Sequence, residues 1–177
     1  MARVVGSVLP AELAARLDDA ELGRWVGHAV SLITVDAGGW PHAAMLGYGD
    51  VAVVDAGRVR FAVSPGSTTD ANLGRAGKAT FLFVAAGTAH YVKCSAARRR
   101  APSGPASSEA VFEATVDTVL EDRPDPRLEG GVTLVDGITY SSANPDAELA
   151  RARARRSRLR CAVAPDDGRS HRAMGDA

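Results

Sequence analysis

The stretch from Arg58 to Val84 constrains the fold most, because its hydrophobic pattern changes twice within a short span. Residues 59–64 alternate apolar with polar or small side chains, which is the period of a half-buried strand. A proline and a glycine at 65–66 end that strand, and residues 71–76 are a helical segment too short to be stable alone. Residues 79–85 are the next apolar strand. The stretch therefore predicts a strand, a tight turn, a short docked helix and a second strand.

Three hydroxyl side chains, those of Ser67, Thr68 and Thr69, stand where this helix begins. The first turn of a helix exposes unpaired backbone N–H groups and a partial positive charge, and hydroxyls add further donors, so the junction is suited to hold a phosphate. The hydroxyls also suit a simpler role as a helix cap, since Asp70 follows Ser67 at capping-box spacing. The two roles are compatible if the backbone N–H groups of the first helical turn bind the phosphate.

Periodicity along the whole chain predicts a mainly β (α+β) protein. Expected helices are residues 10–17, 18–26, 71–76 and 145–159, and expected strands are 30–35, 42–46, 51–54, 59–64, 79–85, 88–98, 111–120 and 133–140. The spacing in 111–120 would also tolerate a helix. Six or seven antiparallel strands joined by hairpins favour a barrel, and a short helix between strands splits it. The expected architecture is a six- to seven-stranded antiparallel split barrel with short flanking helices.

One domain accounts for the length of the chain, with an N-terminal arm at residues 1–9, a split-barrel domain at 10–160 and a disordered tail at 161–177. Basic and acidic side chains balance at 21 each, which argues against nucleic-acid and membrane partners. Two cysteines are too few for a disulfide framework. The sequence has no signal-peptide pattern and no apolar run of membrane-spanning length, so we expect a cytoplasmic protein.

Several segments together resemble the pyridoxamine 5′-phosphate oxidase-like superfamily of FMN-binding split barrels. The resemblance spans roughly residues 10–140 by pattern and order. The segments that carry it are Leu32–Asp36, Gly39–His42, Phe61–Thr69, Asn72–Leu73, Tyr91–Lys93 and Phe112–Asp117. It implies a homodimer with two cofactor sites at the subunit interface, a small-molecule substrate and oxidoreductase chemistry. FMN is the first cofactor implied, the deazaflavin F420 the second, and relatives with haem or no cofactor also exist.

The resemblance also implies where a flavin would bind. The phosphate would lie at the end of a strand and in the turn that follows it, and the strand after the first hairpin would line the isoalloxazine ring. The residues at those positions are Ser64, Ser67, Thr68 and Thr69 for the phosphate, and His42, Ala43, Ala44 and Met45 for the ring. The sequence identifies no catalytic acid, base or nucleophile.

Two departures from the family pattern weaken the phosphate site. Thr68 and Thr69 occupy positions where FMN-dependent members place an arginine and a lysine, and Leu46-Gly47 replace a basic residue at the end of the ring-lining strand. A phosphate carries about two negative charges, and charge-assisted hydrogen bonds are about twice as strong as neutral ones. The possible substitutes are Arg58, Arg60, Arg75, Lys78 or an arginine of a partner subunit. A non-catalytic flavin- or haem-binding split barrel is therefore the alternative.

Two further patterns bear on chemistry. His90 and Cys94 are four apart on an expected strand and so share a face, but no Cys-x-x-Cys or His-x-x-x-His spacing accompanies them, and we predict no metal site. The arginine-dense segment 151–158 is expected to be a solvated helix face. One of its arginines reaching a cofactor phosphate or an acidic partner is the second possibility.

Overall fold

A computed structural model describes residues 2–100, 109–125 and 127–161 of the chain. Its strands are β1 (Arg3–Gly6), β2 (His28–Val35), β3 (Pro41–Gly47), β4 (Val51–Asp55), β5 (Arg58–Val63), β6 (Lys78–Ala85), β7 (Thr88–Arg99), β8 (Ala110–Asp122) and β9 (Ile138–Thr139). Its α-helices are α1 (Ala11–Arg16), α2 (Thr68–Ala76) and α3 (Pro145–Cys161), and two 3₁₀ helices span Leu22–Trp25 and Tyr48–Asp50. The expected tail, apart from its first residue, and residues 101–108, between the strands expected at 88–98 and 111–120, lie outside the described residues.

Seven strands form one continuous antiparallel path in the order β3-β2-β6-β7-β8-β5-β4. The short strands β1 and β9 add to β8 and β2. The sheet curls, so that β3 at one end of the path lies close to β5 near the other end, and both line one cleft. No hydrogen-bonded ladder joins β3 to β5 in the path, so the curled sheet is a split barrel, as predicted.

The core lies on the concave side of the sheet, because buried side chains alternate with more exposed ones along the strands. In β6 the side chains of Phe81 and Phe83 are buried while their neighbours Thr80 and Leu82 are half-exposed. Three phenylalanines from three strands meet there: Phe61 lies 5.1 Å from Phe81 edge-to-face and 5.7 Å from Phe112 in a stacked arrangement. Aromatic pairs at these separations each contribute about 0.5–1.5 kcal/mol beyond the area that they bury.

Helix α1 closes one end of the core through three leucines spaced four residues apart. Leu9, Leu13 and Leu17 are all buried, as expected for residues four apart on one face of a helix. Arg16 fixes the helix to the sheet by donating to the carbonyl oxygen of Val84 at 2.8 Å. The second predicted helix, 18–26, is shorter than expected and is the 3₁₀ helix at Leu22–Trp25.

Two predictions about local structure were incomplete, and one that left an alternative open is decided. Residues 3–6 of the expected N-terminal arm form β1, which is exposed along its length and pairs with β8. Residues 111–120 are a strand, as predicted, and not the helix that their spacing would also tolerate, because their pairs on both sides bury them in the sheet. Of the strand expected at 133–140, only two residues pair with β2. None of the helices within the described ranges has the length and apolar character to cross a bilayer.

Helix α3 is not the solvated arginine face that its composition indicated. Arg156 is 1% exposed, and its guanidinium donates to the carbonyl oxygens of Leu17 and Tyr48 at 2.9 and 2.6 Å. The helix also packs closely on the 3₁₀ helix at Tyr48–Asp50, since a Cβ added at Gly49 would lie 2.6 Å from the Cα of Ala152. Helix α3 is therefore a wall of the domain.

Candidate functional site

A cleft of about 260 Å³ opens where the end of β3 meets the end of β5. Four apolar side chains contribute to its lining, but Met45 alone among them is exposed, and the rest of the lining is a hydroxyl and three charged side chains. The residues that line the cleft are Met45, Leu46, Asp50, Ala62, Val63, Ser64, Glu109 and Arg155. Two of the residues predicted to bind a cofactor, Met45 and Ser64, therefore face one space, although they lie on strands that are not neighbours in the sheet.

Arg155 is the cation of this cleft, and two carboxylates already hold it. Its Nε donates to Oε1 of Glu109 at 2.6 Å, and its Nη1 pairs with Oδ1 of Asp50. Arg158 donates to the same Glu109 oxygen at 3.0 Å. Burial would lower the pKa of Arg155, but the charge of Asp50 and the bond to Glu109 outweigh that effect and raise it. Arg155 therefore stays charged and is paired with the carboxylates of Glu109 and Asp50. Because these two carboxylates also line the cleft, its lining carries no excess of positive charge.

The turn after β5 has the capping geometry that the sequence indicated. Oγ of Ser67 accepts a hydrogen bond from the backbone N–H of Asp70 at 3.2 Å, which caps α2. The carboxylate of Asp70 accepts from the N–H of Gly66 at 2.9 Å, so the capping box is shifted one residue towards the N-terminus. Gly77 closes the helix at φ 58°, in the left-handed region that glycine adopts readily.

Donors remain at this turn after capping. The N–H groups of Thr68 and Thr69 belong to the first helical turn and have no acceptor within the helix itself. The side chains of Ser64 and Thr68 are exposed, whereas Thr69 is buried. The turn can therefore offer two hydroxyls and first-turn amides to an anion.

Arg98 is the functional candidate that sequence analysis missed. It lies near the end of β7, pairs with Oδ1 of Asp70 and places its guanidinium 5.1 Å from the ring centre of Phe112. It puts a positive charge beside the start of α2, where the family pattern has basic residues in the turn itself. Only the pairing of β7 with β8 and the docking of α2 bring Arg98 there, so no local pattern could have indicated it.

The four basic residues of this chain that the sequence offered in place of the family's basic residues at the phosphate site bind other partners. Each is bonded to a partner away from the turn. Arg58 pairs with Asp55 at 2.7 Å, Arg60 with Glu113 at 2.8 Å, Arg75 with the carbonyl oxygen of Val35, and Lys78 with Ser95 at 2.6 Å and Asp117 at 3.2 Å. Burial would raise the pKa of Glu113, but the bonds from Arg60 and Arg99 outweigh burial and hold it below its usual value.

The predicted ring-lining strand β3 ends the sheet path and so has one unpaired edge within the described part of the chain. Ala43 and Met45 are exposed, while His42 and Ala44 are half-buried. The carbonyl oxygen of His42 faces Oγ1 of Thr34 at 3.4 Å, and Thr34 accepts from Nδ2 of Asn72 at 3.0 Å. This polar chain links β3 through β2 to α2, although His42, Ala43 and Ala44 do not line the cleft.

These residues match a flavin-type cofactor in part. The cleft offers the exposed apolar side chain of Met45, and the turn offers anion donors; a ring with a phosphate tail needs both. Pockets for ligands of this size have volumes of about 300–1,000 Å³, and the cleft is smaller than that. The ionised side chains at the turn, Asp70 and Arg98, cancel in charge. A single chain thus supplies part of a site and no surplus cation.

Comparison with known proteins gives the following relationships. No protein-family model matches the sequence. The chain is 30% identical over 135 residues to the uncharacterised protein YclD of Bacillus subtilis, covering 76% of this chain and 84% of YclD. A Lactobacillus delbrueckii crystal structure with the provisional designation of a pyridoxamine 5′-phosphate oxidase matches with a TM-score of 0.53 at 19% identity, over 67% of this chain and 98% of its own. HupZ of Group A Streptococcus matches with a TM-score of 0.46 at 16% identity, over 66% and 98%.

Proposed function

We propose that this chain, which belongs to the same family as Bacillus subtilis YclD and has the split-barrel fold of pyridoxamine 5′-phosphate oxidase-like proteins, is a flavin- or deazaflavin-dependent oxidoreductase. FMN is the first cofactor proposed and F420 the second. The observation that carries the proposal is the shared cleft of Met45 and Ser64, the two ends of the site expected for ring and phosphate. The substrate is a small molecule.

In this proposal the chain's own residues bind and orient the cofactor. Met45 provides the apolar contact for the ring, and the hydroxyls of Ser64 and Thr68 with the first-turn amides of α2 bind the phosphate. Arg98 neutralises Asp70, so that the turn does not repel an anion. The bound cofactor supplies hydride transfer, and the protein supplies position and exclusion of water.

We also propose that two copies form the complete site. The convex face of the sheet carries apolar side chains that are exposed or half-exposed in one chain. They are Ile33, Val35, Ala43, Met45, Leu82, Val84 and Leu120. Two hollows of about 300 and 250 Å³ lie along this face, and a second copy packed there would fill them. That copy would also enlarge the cofactor cleft beside Met45 and supply the cation that one chain lacks.

A second candidate function follows from the charge balance at the turn. Because Asp70 and Arg98 cancel, and the four substitute cations are bonded elsewhere, the phosphate would be held mainly by hydroxyls and amides. Such a site suits a barrel that binds flavin or haem without turnover. Cofactor binding without reoxidation of the reduced cofactor by any added acceptor would favour this second candidate.

Titration of the purified protein with FMN and with F420, followed by absorbance, fluorescence and calorimetry, tests the proposal. We expect saturable binding of one of the two, weakened in the Ser64→Ala/Thr68→Ala double variant and unchanged in Ser157→Ala, an exposed serine of α3. Sedimentation should give twice the chain mass. Absence of any binding signal from either cofactor in the dimeric protein would reject the function, and a monomer that binds would reject only the assembly.

A further inference from the structure

A histidine outside the cleft lies fully buried between α1 and the β7–β8 pair. His90 has no exposed surface, and each of its ring nitrogens faces a carboxylate. Nε2 lies 3.8 Å from Oε1 of Glu12, and Nδ1 lies 4.0 Å from Oε1 of Glu121. Hydrogen bonds of this type span about 2.7–3.2 Å, so neither contact qualifies. Within the described ranges neither ring nitrogen has a partner that meets this hydrogen-bond geometry, and the backbone of Ala85 is a weaker contact of the ring.

This ring and the two carboxylates that it faces offer more acceptors than donors. A neutral imidazole has one N–H and one bare nitrogen. In either tautomer a bare nitrogen therefore faces a carboxylate oxygen, and both atoms are acceptors. Buried acceptors are costly unless a donor or a cation lies between them.

We propose that Glu12, His90 and Glu121 form a binding site for a divalent transition metal ion of the Zn²⁺ class. Nε2 of His90 and the carboxylate of Glu12 are the protein ligands. Metal bonds of about 2.0–2.2 Å bring two ligands of one ion to less than about 4.4 Å from each other, and the observed separation is 3.8 Å. Water occupies the remaining coordination positions.

Glu121 holds the ring from the other side. Its Oε1 accepts from the Nδ1–H of His90, the arrangement by which a carboxylate orients a metal-bound histidine. Its Oε2 is already engaged by Arg3 at 3.2 Å and Arg123 at 3.8 Å, and these cations disfavour a metal ion on that side. One oxygen or nitrogen of each of the three residues of the site lies within 4.8 Å of the others.

The ion can reach this position from solvent. The side chain of Glu12 is 38% exposed on α1, whereas that of Glu121 is 11% exposed and His90 is enclosed. An ion would therefore bind Glu12 first and the ring nitrogen behind it. The spacing of His90 and Cys94 gave no metal site in the sequence, because the partners of the histidine come from α1 and from β8, far along the chain.

Calorimetric titration of the chelator-treated, full-length protein with ZnCl₂ tests the site, and the absorption spectrum of the Co²⁺-loaded protein reports the ligands. We expect one ion per chain, loss of binding in Glu12→Gln and His90→Gln, and binding weakened about 10–100-fold in Glu121→Gln. Glu21→Gln is the matched control, since Glu21 is a carboxylate of similar exposure in the same region. It should bind as the unmodified protein does.

If the His90→Gln variant does not fold, the Glu12→Gln variant still tests the proposal. A glutamine amide can donate to the bare Nε2, so the metal-free Glu12→Gln protein should melt no lower than the unmodified protein, and added Zn²⁺ should not shift its melting temperature. The proposal fails if the unmodified protein shows no Zn²⁺ binding up to millimolar concentration. It also fails if Glu12→Gln binds the ion as tightly as the unmodified protein.

Discussion

Arg156 donates a hydrogen bond of 2.6 Å from Nη2 to the backbone carbonyl oxygen of Tyr48, across 108 positions of sequence. Its other terminal nitrogen donates to the carbonyl oxygens of Leu17 and Asp18, both at 2.9 Å. One buried guanidinium thus joins α3, the end of α1 and the 3₁₀ helix that leads into β4. Five donors in a rigid planar fork make arginine suited to this task.

Replacing Arg156 by alanine should destabilise the protein strongly, because it leaves buried carbonyl oxygens without donors. We expect the free energy of unfolding to fall by about 2–4 kcal/mol in urea denaturation. Arg153→Ala, an exposed arginine on the same helix, is the control and should change it by less than about 0.5 kcal/mol. Equal effects of the two variants would mean that α3 does not depend on this contact.

A methyl group at Gly49 should displace α3, because an added Cβ would overlap the Cβ of Ala152 and lie 2.6 Å from its Cα. We expect Gly49→Ala to cost about 1–3 kcal/mol in thermal or chemical denaturation. Adding Ala152→Gly should recover part of this loss by removing the methyl group that collides. Gly74→Ala is the control: Gly74 has open space around it within a helix, so alanine should stabilise by about 0.5–1 kcal/mol.

Removing the charge of Arg98 should weaken cofactor binding, because Asp70 would then repel a phosphate at the start of α2. We expect Arg98→Gln to reduce affinity for the cofactor that binds by about 10–100-fold in the same titration, a change of about 1.5–3 kcal/mol. Arg100→Gln removes the same charge from an exposed position two residues away and should have little effect. A similar loss in both would indicate long-range charge rather than this contact.

Acidification should destabilise the protein through His90. Its pKa is lowered by burial, with Arg123 acting in the same direction and Glu12 and Glu121 opposing. The unfolded chain therefore binds a proton near pH 6.5 that the folded chain takes up only at lower pH. The free energy of unfolding should fall as pH drops through that range, by at most about 1.4 kcal/mol per pH unit.

Melting temperatures in the presence of chelator at pH 7.5 and 5.5 measure this dependence. The unmodified protein should lose more stability on acidification than His90→Gln, which has no group titrating there. Identical losses in the two proteins would place the pH dependence elsewhere.

Much of the fold was predictable because local patterns and tertiary packing agree. Periodicity located all seven strands of the sheet path. At the turn before α2, the serine cap followed from residue type and spacing alone. Such features depend on neighbours within a few positions, which a sequence displays directly.

The features that the sequence did not reveal depend on distant partners. β1 is exposed along its length and forms by pairing with β8, so it has no alternation to detect. Arg156 looks like one member of a solvated arginine face until α1 and Tyr48 are brought against it. The His90 cluster likewise joins α1, β7 and β8. The roles predicted for residues 42–45 and for the turn at 64–69 stay predictions until a cofactor is tested.

The position of α3 against Tyr48 has a consequence for biosynthesis. The nascent polypeptide emerges from the ribosome with its amino-terminal strands first, and domains generally fold as units. The guanidinium that satisfies the carbonyl oxygens of Leu17 and Tyr48 is translated more than a hundred codons later. Until α3 emerges, the incomplete barrel exposes these carbonyl oxygens and the surface that α3 later covers. Chaperones would therefore have the most exposed surface to protect during this period.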